Sequence, residues 1–462
     1  MLNTIVSWVL GLGAGTMMPI ILTIFAMILG AKFGKALRAG LTVGIGLIGL
    51  NLVIGLLGGN LAPAVTEMSK SMGLTLSVID LGWPPSAAIA WASQIGALTI
   101  PIGLIVNILM LVTKTTQTVN IDIWNFWHYA FIGALVQFAT GSIVYGIIAT
   151  IFTIIIIQIL ADITAPGVEE YLGLPGVSIP HGFSTGIVPV ALAINWVLNF
   201  IPGINKITLN PETVQKKLGV FGEPILIGTF LGMLIGIAAG RPIGTGTGWL
   251  SLGVIMGAVL VLIPRMSGLL MEGLIPISEA AEEFINKKFE NAGKLYIGLD
   301  SAVGIGHPTT LAVALILVPV SIFLAVALPG NKFLPAADLA ALPFMFVMIV
   351  PITKGDIIRT LIIGIVLLIC GFYIASALSP GFTDAAINAK YDLKGMKAVS
   401  SIFDGASPLV WVMTVIFKLK AIGAVIVGVI CAGLMVWNRK RIIAEAKAEK
   451  AAEIAEKKAA SK

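Results

Sequence analysis

The 462-residue sequence is short of charge: Asp, Glu, Lys and Arg make up 11% of it, while 57% is hydrophobic. Soluble chains carry roughly 25% charged residues, and so few charges cannot cover a water-facing surface of this size. A mean hydropathy of +1.01 points the same way. The natural solvent is a bilayer, and a string of soluble domains is excluded. Cysteine is nearly absent as well. Cys370 and Cys431 sit within apolar runs (LLIC and GVICAG), which suits packing, because thiolate chemistry needs an accessible, electropositive setting. With no CxxC pair and no disulfide framework, any reactive cysteine has to come from a partner. The three histidines are dispersed, HxxxH and HExxH are absent, and no metal or cofactor site is expected.

What is abundant is apolar length, with 52 glycines and 23 prolines. No charged residue occurs in 1–31, 39–66, 81–113, 129–161, 171–205, 242–264, 301–331 or 360–383, and about 20 apolar residues cross a bilayer. Shorter uncharged runs at 224–240, 339–353, 405–417 and 421–438 read as further spans or as hairpins returning to one side. Residues 1–31 read as a first spanning helix, since no basic region precedes the apolar stretch.

Basic residues in short loops set orientation. Lys32, Lys35 and Arg38, then Lys206, Lys216 and Lys217, then Arg439, Lys440 and Arg441 mark cytoplasmic segments. Residues 161–175 hold Asp162, Glu169 and Glu170 without Lys or Arg, which suits the outside. An outside N-terminus and an inside C-terminus need an odd number of crossings, about 11 on the run lengths. Residues 1–437 then form the membrane domain. Residues 438–462 form an Ala-rich tail with eight Lys or Arg against four Glu. That surplus supplies most of the net charge of +6, so the basic balance indicates proximity to anionic headgroups and not to nucleic acid.

Glycine and proline in spans are tolerated where a cavity or a neighbouring helix satisfies the freed backbone groups. The run LGWPPS at 81–86 cannot continue a helix and marks a helix entry or an unwound point. Gly44, Gly46 and Gly49 match GxGxxG by letter, but inside an apolar span they read as close helix packing. Breaks recur at 176–189 (GVSIPHGFSTGIVP), 241–249 (RPIGTGTGW), 299–310 (LDSAVGIGHPTT) and the proline-bounded hairpin 335–351. Such interruptions expose carbonyls and helix N-termini at transporter substrate sites. The glycines of RPIGTGTGW read as a bend between two spans, and 271–288 reads as an amphipathic helix on the cytoplasmic face.

Asp300 stands at the start of the uncharged run 301–331. An ionisable group at membrane depth faces a cavity or a partner, and Asp also caps helices well; the two roles are compatible. His181 lies in a bent polar tip with Gly182, Ser184, Thr185 and Gly186, and His307 precedes Pro308. Both are candidate ligand-binding residues. His128, in the aromatic cluster WNFWHY, reads as interfacial, with no ligand role. Further polar candidates are Gln94, Asn107, Gln137, Asn195, Glu223 and Glu272, with Glu223 placed before Pro224 at the head of an apolar run.

Four strings carry a family resemblance: LGWPPSAAIAWASQIGALTIPIGL (81–104), VSIPHGFSTG (177–186), KLGVFGEPILIGTFLG (217–232) and KLYIGLDSAVGIGHPTT (294–310). Over nearly its whole length, to about residue 437, the chain resembles the galactitol-type enzyme IIC of the phosphoenolpyruvate-dependent sugar phosphotransferase system, in the ascorbate and galactitol superfamily. The resemblance implies an all-α polytopic homodimer with re-entrant hairpins, a dimerising part and a mobile substrate-carrying core. It implies a bacterial inner-membrane location and polyol uptake by group translocation. Phosphorylation then comes from a phosphocysteine on a separate enzyme IIB, itself supplied through IIA. This chain carries no phosphorylated residue of its own in that scheme. The related ascorbate permease has a histidine in a SIGH-type hairpin and an aspartate in an AID-type tip near the sugar. These correspond to SIPH, with His181, and to GLD, with Asp300. Where the ascorbate branch continues with a glutamine-rich stretch, this chain has Gly182-Phe183-Ser184-Thr185, which fits a different substrate. The expected substrate-binding set is Asp300, His181, His307, Glu223, Gln94 and Ser184, with Asp300 the candidate base. An ion-coupled secondary transporter uses the same broken helices and buried ionisable pairs, and only the family strings separate the two.

Overall fold

The long uncharged runs fold as helices because a helix satisfies every backbone donor and acceptor internally where lipid offers none. The computed structural model describes residues 14–71, 73, 76–204, 209–211, 213, 216, 223–244, 246–288, 294–393 and 395–460. The expected first span falls partly outside these residues; its described part is α1 (Ala14–Ile28). There follow α2 (Phe33–Ser71), α3 (Trp83–Ala92), α4 (Gly96–Val112), α5 (Phe126–Thr140) and α6 (Ile143–Leu172). The short α7 (Gly182–Gly186) leads into α8 (Val188–Leu198), and α9 (Pro224–Ala238) turns back against α10 (Trp249–Lys288). The chain ends with α11 (Pro308–Ala327), the small α12 (Leu342–Phe346) and α13 (Ile349–Thr353), then α14 (Ile357–Asn388), α15 (Pro408–Phe417) and α16 (Ala421–Ala460).

Among the described residues, six helices are long and apolar enough to cross a membrane, or seven if α3 and α4, bent by 87°, count as one span. Their outward side chains agree: Leu52, Val112, Ile422, Val425 and Val429 are all exposed, an apolar surface that suits lipid and not water. The chain is a multi-pass helical membrane protein. α1, α2, α9 and α10 pack as one bundle. At the α2–α10 crossing, a Cβ on Gly46 would lie 2.9 Å from the backbone nitrogen of Leu270, and one on Gly49 would strike Met266. The glycines thus have the packing role expected of them. The RPIGTGTGW segment is the turn from α9 to α10, where the Arg241 guanidinium donates to Glu67 at the end of α2 (2.6 Å).

The other helices surround two small parallel sheets. One has the order β5 (Phe333–Leu334), β1 (Val78–Asp80), β6 (Ala398–Ser400), with Val78 opposite both Phe333 and Ala398. The second has the order β2 (Thr118–Asn120), β4 (Tyr296–Gly298), β3 (Val177–Ser178), with Ile297 opposite both Val119 and Val177. Strands of two or three residues leave no period-2 pattern in an apolar sequence, so composition does not announce them.

Three local expectations change. Residues 271–288 are no separate surface helix, because they continue α10 without a break. Cys431 is buried and its thiol donates to the Phe152 carbonyl (3.8 Å), but Cys370 is exposed on α14. The third change concerns orientation. α6 and α16 lie side by side and parallel: Gly428 and Cys431 meet Phe152, and ten residues further along α6 the Asn438 amide donates to Asp162 (2.7 Å). Parallel helices leave on the same face, so Glu169 and Glu170 share a side with Arg439, Lys440 and Arg441. The assignment of those two segments to opposite sides does not hold. Loop charge misleads here because Asp162 is fully buried and serves the helix contact: it also accepts from Thr116, Thr118 and the Gln117 N–H.

Candidate functional site

All strands of a parallel sheet end on one side, so the residues that follow them converge. Asp80 ends β1, and Asp338 and Asp404 follow β5 and β6; after β2, β3 and β4 come Asp122, His181 and Asp300. Prolines then restart helices: Pro84 opens α3, Pro189 α8, Pro308 α11, Pro343 α12 and Pro408 α15. The fixed φ and missing donor of proline cost nothing in a first helical turn.

Most of these carboxylates hold backbone. Asp80 accepts from the N–H groups of Gly82 (3.1 Å), Ala336 (3.1 Å) and Asp338 (2.9 Å). Asp338 accepts from Trp83 (2.6 Å) and Ile402 (3.1 Å) in return, tying the three tips of the first sheet together. In the second sheet Asp122 accepts from Trp124 and from Asp300 N–H, both at 3.1 Å. A carboxylate shut away from water is costly unless such donors surround its oxygens.

The two groups of tips meet at one chain of side chains. Asp404 Oδ2 lies 2.7 Å from His128 Nδ1, and His128 Nε2 lies 2.8 Å from His181 Nε2. His181 Nε2 is also 3.6 Å from Asp300 Oδ2. His181 Nδ1 accepts from the Ser184 N–H (3.1 Å), while Ser184 Oγ is hydrogen-bonded to Ser301 Oγ (2.9 Å) and donates to the Phe344 carbonyl (2.6 Å). Asp300 caps its own turn by accepting from Ala302 N–H (2.7 Å). Phe344 and Phe403 flank the His181 ring, with centroids 6.3 and 6.5 Å away. The His128 and Asp404 side chains are fully buried and that of His181 is 2% exposed, but Asp300 is 18% exposed. Asp300 is therefore the most exposed of these four side chains.

The structure brings together three of the expected residues, Asp300, His181 and Ser184. The other three have different recorded contacts or positions. His307 stands beyond the turn Ser301–Gly304 and caps α11, its Nδ1 accepting from Thr309 N–H (3.2 Å). Glu223 opens α9, which packs on α10 in the other bundle. Gln94 is exposed at the α3–α4 bend and accepts from Gln137 (3.0 Å). Of the remaining polar candidates, Asn107 pins β2 by donating to the Thr118 carbonyl (2.8 Å), Asn195 donates to the Ile352 carbonyl (3.2 Å), and Glu272 is exposed. His128 requires a correction. It is buried at the centre of the chain of contacts and is not an interfacial residue. Its aromatic neighbours misled; Trp127 packs against the ring face (centroids 3.8 Å apart) and leaves both nitrogens to polar partners.

Residues 8–395 match the family model described as PTS system sugar-specific permease component. The chain belongs to this family. It is 39% identical over 438 residues to the Putative permease IIC component of Escherichia coli K12, covering 95% of this chain and 99% of that protein. It is 38% identical over 444 residues to the PTS system galactitol-specific EIIC component of the same organism, covering 96% and 97% of the two chains. In this permease component the resemblance strings 177–186 and 294–310 cover the β3 and β4 tips, and so His181 and Asp300. They leave out His128 and Asp404, whose only signal is polarity within otherwise apolar hairpins.

Proposed function

We propose that the chain takes up a sugar alcohol, galactitol or a related polyol, by group translocation, and presents it for phosphorylation to a phosphocysteine on a separate enzyme IIB fed by IIA. The observation that carries this reading is the His181–Asp300 pair, 3.6 Å apart at two converging tips, in a chain of the phosphotransferase permease family. A polyol offers hydroxyls that donate and accept at once. Asp300 accepts a hydrogen bond from one hydroxyl, and the imidazole of His181 positions it. In the transfer step the hydroxyl oxygen forms a bond to phosphorus, the S–P bond breaks towards a thiolate, and the hydroxyl proton passes to a base, Asp300 in this account.

The wider scheme has about 11 crossings with re-entrant hairpins, the bent α3–α4 pair among them. The α1, α2, α9 and α10 bundle is the dimerising part, the tip-bearing remainder is the mobile core, and the protein sits in a bacterial inner membrane. The N-terminus is outside, and residues 438–462 form a cytoplasmic tail. Asp300→Asn tests the site. The amide oxygen still accepts from Ala302 N–H, so the fold persists, while polyol affinity falls about tenfold or more and phosphorylation is lost. Unchanged binding and phosphorylation in that variant would remove Asp300 from the site.

A further inference from the structure

We propose that Asp404 and His128 are positioning residues that fix His181 as a hydrogen-bond donor at Nε2, which leaves Asp300 as the proton acceptor of the polyol site; the second half rests on the functional reading above. The Ser184 backbone N–H, 3.1 Å from His181 Nδ1, can only donate. His181 Nδ1 is therefore the acceptor, and the proton of the neutral ring is on Nε2. That Nε2 lies 2.8 Å from His128 Nε2, so the His128 nitrogen accepts and the proton of His128 is on Nδ1. His128 Nδ1–H in turn points at Asp404 Oδ2, 2.7 Å away. Both ends of the chain give the same answer: every donor is directed towards Asp404. The reverse order requires His181 to carry its proton on Nδ1, towards Ser184 Oγ at 2.9 Å, and so to set that proton against the Ser184 N–H aimed at the same nitrogen. A second proton on His128 Nε2 would set two N–H groups against each other.

Asp404 is suited to this and to little else. Asp80, Asp122, Asp300 and Asp338 each accept from at least one backbone N–H. Asp404 accepts from His128 alone, and its Oδ1 has no hydrogen-bond partner among the described residues. A buried carboxylate that caps no turn gains nothing structural that an apolar residue would not give. The lock decides chemistry one step away. A hydroxyl lodged against Asp300 Oδ2 faces His181 Nε2, 3.6 Å from that oxygen, and finds no lone pair there, because that nitrogen carries the proton donated to His128. When the hydroxyl attacks phosphorus, its proton passes to Asp300, because the His181 nitrogen facing it is already protonated.

With three histidines in the chain, tautomers are readable by solid-state NMR on ¹⁵N-histidine-labelled full-length protein in lipid bilayers, each signal assigned by single substitution. The expected result is His181 protonated at Nε2 and His128 at Nδ1. Asp404→Ala releases His128 to Nε2 protonation and turns the His181 proton to Nδ1, where Ser184 Oγ at 2.9 Å takes it, and polyol phosphorylation falls about tenfold to a hundredfold. His128→Gln, whose Oε1 can stand in for Nε2 as acceptor, keeps His181 protonated at Nε2 and retains more activity than His128→Ala. His128 protonated at Nε2 in the wild type, or a His128 tautomer unmoved by Asp404→Ala, would overturn the proposal. Tautomers as stated in a protein that phosphorylates no polyol would instead overturn the functional reading and leave the lock standing.

Discussion

Five aspartates and a histidine stand at or just beyond the ends of the six short strands, and their hydrogen bonds divide them by task. Asp338 joins tips: its loss strands the N–H groups of Trp83 and Ile402 in a closed setting. At about 1–3 kcal/mol for each buried donor left alone, Asp338→Ala should destabilise the protein by about 2–6 kcal/mol. Asp338→Asn keeps one accepting oxygen and should cost less. Thermal unfolding in detergent checks both, and equal losses would contradict the account. His181 and Asp300 were legible in the sequence because each stands in a glycine-rich, otherwise uncharged string. His128 and Asp404 were not, because their meaning depends on a contact between residues 276 positions apart, which neither spacing nor composition encodes.

At the scale of elements, apolar run length located α2, α10, α11 and α14, but the run 171–205 holds only the short α7 and α8 and the run 129–161 is divided between α5 and α6; proline marked where tips turn into helices. The Trp-Pro-Pro run is indeed the entry to α3. The sharper bend comes further along, where α4 restarts at Gly96, eleven residues after Pro85, and a Cβ would lie 2.5 Å from the Ala90 carbonyl oxygen. A lone glycine in an apolar run gives no warning of that. Orientation failed for a related reason, since a charge counts towards topology only when it faces the aqueous phase, and Asp162 faces Asn438. The parallel course of α6 and α16 predicts that exposed Glu170 and Arg439 share a side. In a Cys370→Ala, Cys431→Ala background, Glu170→Cys and Arg439→Cys should react with a membrane-impermeant maleimide from the same face of oriented vesicles. Labelling from opposite faces would contradict the parallel packing.

At the scale of the whole molecule, scarcity of charge has a structural counterpart. The aspartates kept inside sit at the ends of strands that two parallel sheets bring to one level, and the Asp404–His128–His181 chain joins one sheet's tips to the other's. A movement that separates the two groups of tips has to break that chain. The proposed scheme takes its phosphoryl donor from a separate protein, and the cysteines suit that, Cys431 being buried and Cys370 lying on the spanning helix α14. The central claim is group translocation, and vesicles containing the purified protein test it most directly. Internal enzyme IIB, its phosphate donors and phosphoenolpyruvate should yield polyol phosphate inside from polyol supplied outside, with no response to an imposed proton or sodium gradient. Accumulation of unmodified polyol driven by such a gradient, without phosphoenolpyruvate, would contradict it.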